Sequence, residues 1–294
     1  MKSILIGLLL VLGMSSYAQL RIVTTTTNLA DIAKKIGGES VSVHSLAKGT
    51  QDPHFLEAKP SYTFKVAKAD LLISIGAGLE VGWLPLVVRG SRNPKVRIGQ
   101  EGRLEAYALV KLTDEVKGKL TRAHGDVHPE GNPHFMLSPS KALEVAKGVR
   151  DRFIKLDESN RQAYENNYIA YEKRTKELIK DLSAKIKKGT KIITFHRTLT
   201  YFLDEFGIQV QNVLEPKPGI PPTASHIISV IEQMKKEGIR HILVENYFDD
   251  SVAKRISKSI KNVKINNVAV AVDGSSQVKD IFSLYESLAL ALED

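Results

Sequence analysis

Apolar and polar residues follow a repeating order along most of the chain: a short apolar run, a turn, an amphipathic stretch, a glycine. The β-branched run over 21–27 predicts a strand, and 28–36 predicts a helix that stops at Gly37-Gly38. A strand over 41–46, a helix over 61–68 and a continuous apolar strand over 70–75 follow, closed by Gly76-Ala77-Gly78. Continuous apolar strands between helices mark a buried parallel sheet. A polar stretch over 113–134 breaks the order and a helix over 138–156 resumes it. After Gly189 the alternation restarts, with strands over 191–195, 208–214, 241–245 and 263–272 and helices over 198–206, 225–237, 250–260 and 279–290. Four strand–helix units in series predict a second parallel sheet with right-handed crossovers. The expected fold class is α/β, with two lobes that each carry a central, mostly parallel sheet flanked by helices.

Between the halves lies the longest periodic segment, 157–188. Its apolar stripe runs through Tyr164, Tyr168, Tyr171, Leu178, Leu182 and Ile186, with Ser159 as the expected N-cap and Gly189 as the stop. About 29 helical residues at 1.5 Å each span on the order of 43 Å, more than one small lobe. This predicts a rigid helix that runs past both lobes and ties them together. A coiled-coil dimer segment is the other reading, and the shortness of the stretch and Thr175 in its stripe count against it. The expected organisation is a leader over 1–18, an N-terminal lobe over 19–156, the linking helix over 157–188 and a C-terminal lobe over 189–294.

Composition narrows the function classes. The 294 residues are 43% apolar and 26% charged, which excludes global disorder. Cysteine is absent, which excludes disulfides, thiolate metal sites and cysteine nucleophiles. It also argues against an acylated cysteine, so the expectation is a protein that is not a lipoprotein. Met1-Lys2, the apolar run over 4–13 and Ser16-Tyr17-Ala18 predict a signal peptide cleaved between Ala18 and Gln19, and hence a periplasmic protein. The net charge of +9 is dispersed, with no basic cluster interleaved with aromatics, so no nucleic-acid partner is expected.

In open α/β sheets, ligands bind at the carboxyl ends of strands. Three histidines fall there or on adjacent loops: His54 in Gln51-Asp52-Pro53-His54, His134 in Gly131-Asn132-Pro133-His134, and His196 directly after the strand over 191–195. Asp273 follows the last strand in the same way. Three neutral imidazoles and one carboxylate make a closed four-coordinate set for zinc. Hydrolase and nucleotide-binding signatures are missing, and Gly76-Ala77-Gly78 is a poor dinucleotide fingerprint.

At these residues the chain resembles the substrate-binding proteins of zinc and manganese ABC transporters, the cluster A-I or TroA-like family. The resemblance spans the whole chain after residue 18. It rests on Asp52-Pro53-His54, Gly131-Asn132-Pro133-His134, Phe195-His196-Arg197 with Tyr201-Phe202 and Phe206-Gly207 behind it, and the proline-rich 215–222 loop followed by His226. It implies one metal ion in the cleft between two lobes, held by His54 and His134 from the first and His196 from the second. It implies capture of Zn²⁺, with Mn²⁺ possible, by a monomer that delivers its cargo to a membrane permease with a cytoplasmic ATPase. Manganese-binding members often carry Glu at the third position, and His196 there favours zinc. The family's aspartate stands in an Asp-Pro-Leu setting, whereas this chain has Asp273-Gly274-Ser275, so Glu245 or water are alternatives to Asp273 as fourth ligand. Ser138 replaces a frequent family aspartate and can still cap the following helix. His124 and His128 lie where zinc-specific relatives often carry a histidine- and acid-rich loop, which implies an auxiliary weak metal site or simply a solvated loop. His44, His226 and His241 are expected to be structural. A manganese-specific binder, a metal-dependent adhesin-like surface protein and a zinc hydrolase using Glu245 as base are the other readings, the expectation being no enzyme.

Overall fold

Two four-stranded parallel sheets organise the chain, in orders β2-β1-β3-β4 and β6-β5-β7-β8. The computed structural model describes residues 19–114, 128–217 and 219–293; the expected leader over 1–18 and His124 lie outside the described residues. In the first sheet β1 (Leu20–Thr24) lies between β2 (Val41–Ser45) and β3 (Leu71–Ser74), and β4 (Arg103–Glu105) closes the edge. In the second, β5 (Lys191–Thr194) lies between β6 (Gln209–Val213) and β7 (His241–Glu245), with β8 (Lys264–Val268) outermost. All four residues of β3 and all five of β7 are buried, as a central strand covered on both faces requires. Together with the long helix this is the two-lobed α/β fold expected from the pattern.

Helices cover each sheet on both faces, and the faces differ. On the outer face of the first sheet, α2 (Pro60–Ala67) and α3 (Leu84–Ser91) enclose a core built on Val66, Leu72, Trp83 and Val87. On the outer face of the second, α7 (Ala224–Glu237) and α8 (Ser251–Ser257) enclose Ile193, Val230, Ile242 and Ile256. The inner faces share one continuous core. It runs from Ile22, Leu29 and Ile36 of β1 and α1 (Thr27–Gly37), through Val149 and Phe153 of α4 (Pro139–Leu156), to Phe202 of α6 (Thr200–Glu205) and Leu284 and Tyr285 of α9 (Ile281–Leu290).

Polar ties cross the same boundary. Asn28 donates to Val270 O at 3.2 Å and accepts from Val272 N–H at 2.8 Å, and Thr27 donates to Val272 O at 2.7 Å. Asp31 accepts from Ile281 N–H at 3.0 Å, and Tyr285 donates to Met136 O at 2.7 Å. Buried hydrogen bonds of this kind restrict relative motion, because opening the lobes would leave their partners unsatisfied. Ser138 caps α4 as expected, accepting from Lys141 N–H at 3.1 Å, and also donates to Glu205 of α6.

The long helix, α5, runs Arg161–Lys185, 25 residues and about 37 Å, shorter than the pattern suggests. Asp157 is the reason. Its carboxylate accepts from Ser159, Asn160 and Tyr164, which holds 158–160 in a 3-10 turn and takes Ser159 out of the capping role. The buried stripe is Tyr164, Tyr168, Tyr171, Thr175, Leu178 and Leu182. Thr175 is tolerated there because its hydroxyl donates to Tyr171 O, one turn back, at 2.8 Å.

Candidate metal centre

Each of the three expected histidines is delivered by a short segment with its own anchoring. His54 sits in a 3-10 turn over Pro53–Phe55, whose first amide bond follows Asp52; Asp52 caps the turn by accepting from His54 N–H at 2.9 Å. The indole of Trp83 donates to Pro53 O at 2.9 Å and pins the turn to the first lobe. His134 stands before the Phe135–Leu137 turn that leads into α4. Its segment is stitched to the second lobe: Tyr201 donates to Asn132 O at 2.7 Å, and Asn132 donates to Arg197 O at 3.0 Å. That stitching sets His134 beside His196, which follows β5.

The structure brings these three rings together and adds a fourth, His128. Centroid separations are 5.2 Å for His54–His134, 5.8 Å for His134–His196 and 6.3 Å for His54–His196. His128 lies 5.2 Å from His54 and 6.5 Å from His134. Two imidazoles bound to one tetrahedral zinc through Zn–N bonds of about 2.05 Å have centroids about 5.2 Å apart. The rings are gathered rather than converged, and no group of three such donors among the described residues forms a finished metal shell.

Carboxylates behind two of the rings fix their tautomers. Asp52 lies 2.6 Å from His54 Nδ1, and Glu215 lies 2.9 Å from His196 Nδ1. A carboxylate accepts, so each Nδ1 carries the proton and each Nε2 presents a lone pair. Glu215 is itself held by Gly219 N–H at 3.0 Å, at the start of the proline-rich loop. Burial alone would raise the Asp52 carboxyl, but hydrogen bonds and charge from His54 outweigh it and hold it below its ordinary value. Burial, reinforced by the neighbouring imidazoles, lowers His128 to about 4 and holds His134 well below its ordinary value. Both rings are therefore neutral at pH 7 and available to a metal. His134 Nε2 is a buried polar atom with no hydrogen-bond partner, which an imidazole donor set fits: a cation would satisfy it.

Asp273 is placed differently. It is solvent-exposed, with left-handed backbone (φ 60°), and its amide donates to Val278 O at 2.9 Å. No hydrogen bond or ion pair among the described residues joins its carboxylate to the four rings. Glu245, at the end of β7, is fully buried. Burial pushes its carboxyl up to about 7, partly offset by the charge of His196, and neither carboxylate oxygen has a hydrogen-bond partner among the described residues. A raised carboxyl favours the folded chain fully below the ordinary value of 4.5 and loses that advantage as pH rises through about 7. Glu245→Gln in the metal-free protein is therefore expected to match the parent near pH 4 and to exceed its stability by about 3 kcal/mol above pH 7. Denaturant midpoints across that range check it; a difference independent of pH would refute it.

The other described histidines lie outside the cluster. His226 bonds to Val213 O at 2.8 Å, His44 faces Lys65, and His241 opens β7. Cavities beside the rings are small: about 60 Å³ lined by Asp52, His54, His196, Glu215 and Phe248, and about 50 Å³ lined by Pro133, His134, Thr198 and Tyr247. A groove of about 600 Å³ against α3 contains none of the four histidines. Asp52, Glu215 and the inward position of His128 are what the sequence reading lacks. The linear signals are that Asp52 and Glu215 stand inside the Asp52-Pro53-His54 and 215–222 motifs and that His128 lies close to His134 in sequence.

The profile of the family described as zinc-uptake complex component A, periplasmic (ZnuA) matches residues 22–294. Among curated relatives, the manganese ABC transporter substrate-binding lipoprotein ScaA of Streptococcus gordonii is 27% identical over 253 residues, covering 83% of this chain and 77% of the relative. A crystal structure of ZnuA superposes with a TM-score of 0.75 at 21% identity, covering 94% of this chain and 100% of that one. The substrate-binding protein FpvC of Pseudomonas aeruginosa, solved in complex with Mn²⁺, superposes with a TM-score of 0.73 at 25% identity, covering 94% and 98%. These relatives correct one expectation. Streptococcal proteins that match most of the chain are lipoproteins by name, so the statement that the protein is not a lipoprotein does not stand. The cysteine count speaks only of one acylation chemistry within these 294 residues, not of how the family is held outside the cell.

Proposed function

The chain belongs to the zinc-uptake complex component A family of ABC-transporter metal-binding proteins, and from that premise we propose that it captures Zn²⁺ at His54, His134 and His196 and hands it to a membrane permease driven by an ATPase. The observation that carries the reading is the gathering of these rings, from both lobes, around the unpartnered His134 Nε2. The adjoining cavities of about 60 and 50 Å³ suit an ion with little water, whereas organic ligands take several hundred Å³. Zinc is preferred over manganese because the donors are imidazole nitrogens, and manganese favours oxygen. Asp273, Glu245 and water, with His128 beside them, are the claimants to the fourth place.

Capture follows from the groups present. Asp52 and Glu215 hold the Nδ1 protons, so the Nε2 lone pairs of His54 and His196 face the ion. Burial keeps His134 neutral, so no proton must leave it at pH 7. The hydrogen bonds that join the lobes limit closure, and release then depends on local movement of the ligand-bearing turns. Equilibrium dialysis against equimolar Zn²⁺ and Mn²⁺ tests the metal: one zinc per chain and little manganese is expected, with zinc retention lost in His196→Ala. Manganese as the retained ion would overturn the zinc reading.

A further inference from the structure

We propose that His128 supplies the fourth imidazole of the metal sphere, so that the ion is held by four ring nitrogens rather than three and a carboxylate. The inference rests on the reading that His54, His134 and His196 bind metal. Its geometric basis is the approach of His128 Nε2 to His54 Nε2 at 3.1 Å. Two nitrogens on one tetrahedral zinc are separated by about 3.3 Å, so this pair already forms one edge of such a shell.

The chemistry of the pair strengthens the point. His54 donates its Nδ1 proton to Asp52, which leaves its Nε2 as an acceptor. A Cβ placed on Gly78 would lie 3.1 Å from His128 Nδ1, so that nitrogen faces the loop while Nε2 faces His54. In the metal-free chain a His128 Nε2–H can donate to His54 Nε2, and once that proton leaves, the two lone pairs can close on one cation. The backing is also built rather than incidental. Gly78 has φ 79° and no side chain, which leaves room for the ring. The preceding loop is pinned by Glu80, which accepts from Ile75 N–H at 2.8 Å, Gly76 N–H at 3.0 Å and the Thr25 hydroxyl at 2.6 Å.

Charge balance agrees. Four neutral imidazoles leave the double charge of zinc uncompensated at the ligand atoms. Asp52 and Glu215, one bond behind His54 and His196, supply two negative charges without binding the ion. A ligand carboxylate from Asp273 is not needed for neutrality, which is consistent with its exposed position.

Zinc K-edge absorption spectroscopy on the zinc-loaded full chain, paired with chelator competition, tests this. Four imidazoles are expected in the parent and three in His128→Ala and His128→Gln, with affinity lowered roughly 10- to 100-fold in both, and within about threefold of the parent in Asp273→Ala. The glutamine variant keeps a polar side chain of similar size on the turn, and matching thermal midpoints of the metal-free proteins guard against misfolding. Three imidazoles plus a carboxylate in the parent, or His128 variants that bind as tightly as the parent while His196→Ala does not, would overturn the His128 assignment and leave the carrier reading in place. A parent that takes up no zinc would overturn both.

Discussion

His134→Ala is expected to weaken zinc binding by roughly a hundredfold or more while the protein stays folded. The site loses a buried ring, the one whose Nε2 has no other partner. In the metal-free protein the same change removes an unsatisfied buried polar atom, so its stability should hold or rise slightly. That opposite pair of effects separates a ligand from a structural histidine. Competition titration with a chromophoric chelator and thermal denaturation without metal read the two halves. Unchanged affinity, or a large loss of metal-free stability, would show that His134 serves the fold rather than the ion.

The second large effect concerns the joint between the lobes. Tyr285→Ala should destabilise the chain by about 3–5 kcal/mol, the range for removing a large buried aromatic side chain. Tyr285 is fully buried in the shared core, its ring 6.5 Å from that of Phe202, and its hydroxyl donates to Met136 O in the segment just after His134. Tyr285→Phe keeps the packing and deletes only the hydrogen bond, at about 1 kcal/mol plus the cost of an unpaired carbonyl. Because Met136 is two residues from His134, the phenylalanine variant should also slightly weaken zinc binding. Urea denaturation with zinc absent measures the first pair of values. A loss in Tyr285→Ala no greater than in Tyr285→Phe would mean that the shared core does not join the lobes.

Much of this arrangement was legible in the linear pattern, for identifiable reasons. Fully buried strands such as β3 and β7 show as unbroken apolar runs, and helices with one buried face, such as α1 and α7, show the helical spacing. The helix α3 is hidden because Leu84, Leu86, Val87 and Val88 crowd together without a helical spacing and Gly90 and a left-handed Arg92 close it. The three-residue β4 is too short to carry any period. Ser159 looked like a cap because capping by residue type ignores competitors, and Asp157 binds it first.

The site divides in the same way. The three rings that the structure gathers, His54, His134 and His196, stand out in the sequence because they follow strand ends or proline-fixed turns and because their motifs resemble a known family. His128 could not be raised above an auxiliary role, since the polar stretch over 113–134 has no period that says where its residues point. Asp52 and Glu215 act through contacts to His54 and His196, and the Glu215 pairing spans 19 residues and two strands. Such pairing is a product of sheet order, which spacing does not encode.

The most direct test of the central claim is a calorimetric titration of Zn²⁺ into the metal-free chain at pH 7, with the double variant His54→Ala/His196→Ala beside it. One tight site per chain, absent from the double variant, is the result that a histidine-built carrier site predicts. No stoichiometric binding by the parent, or an unchanged isotherm after both rings are removed, would contradict it.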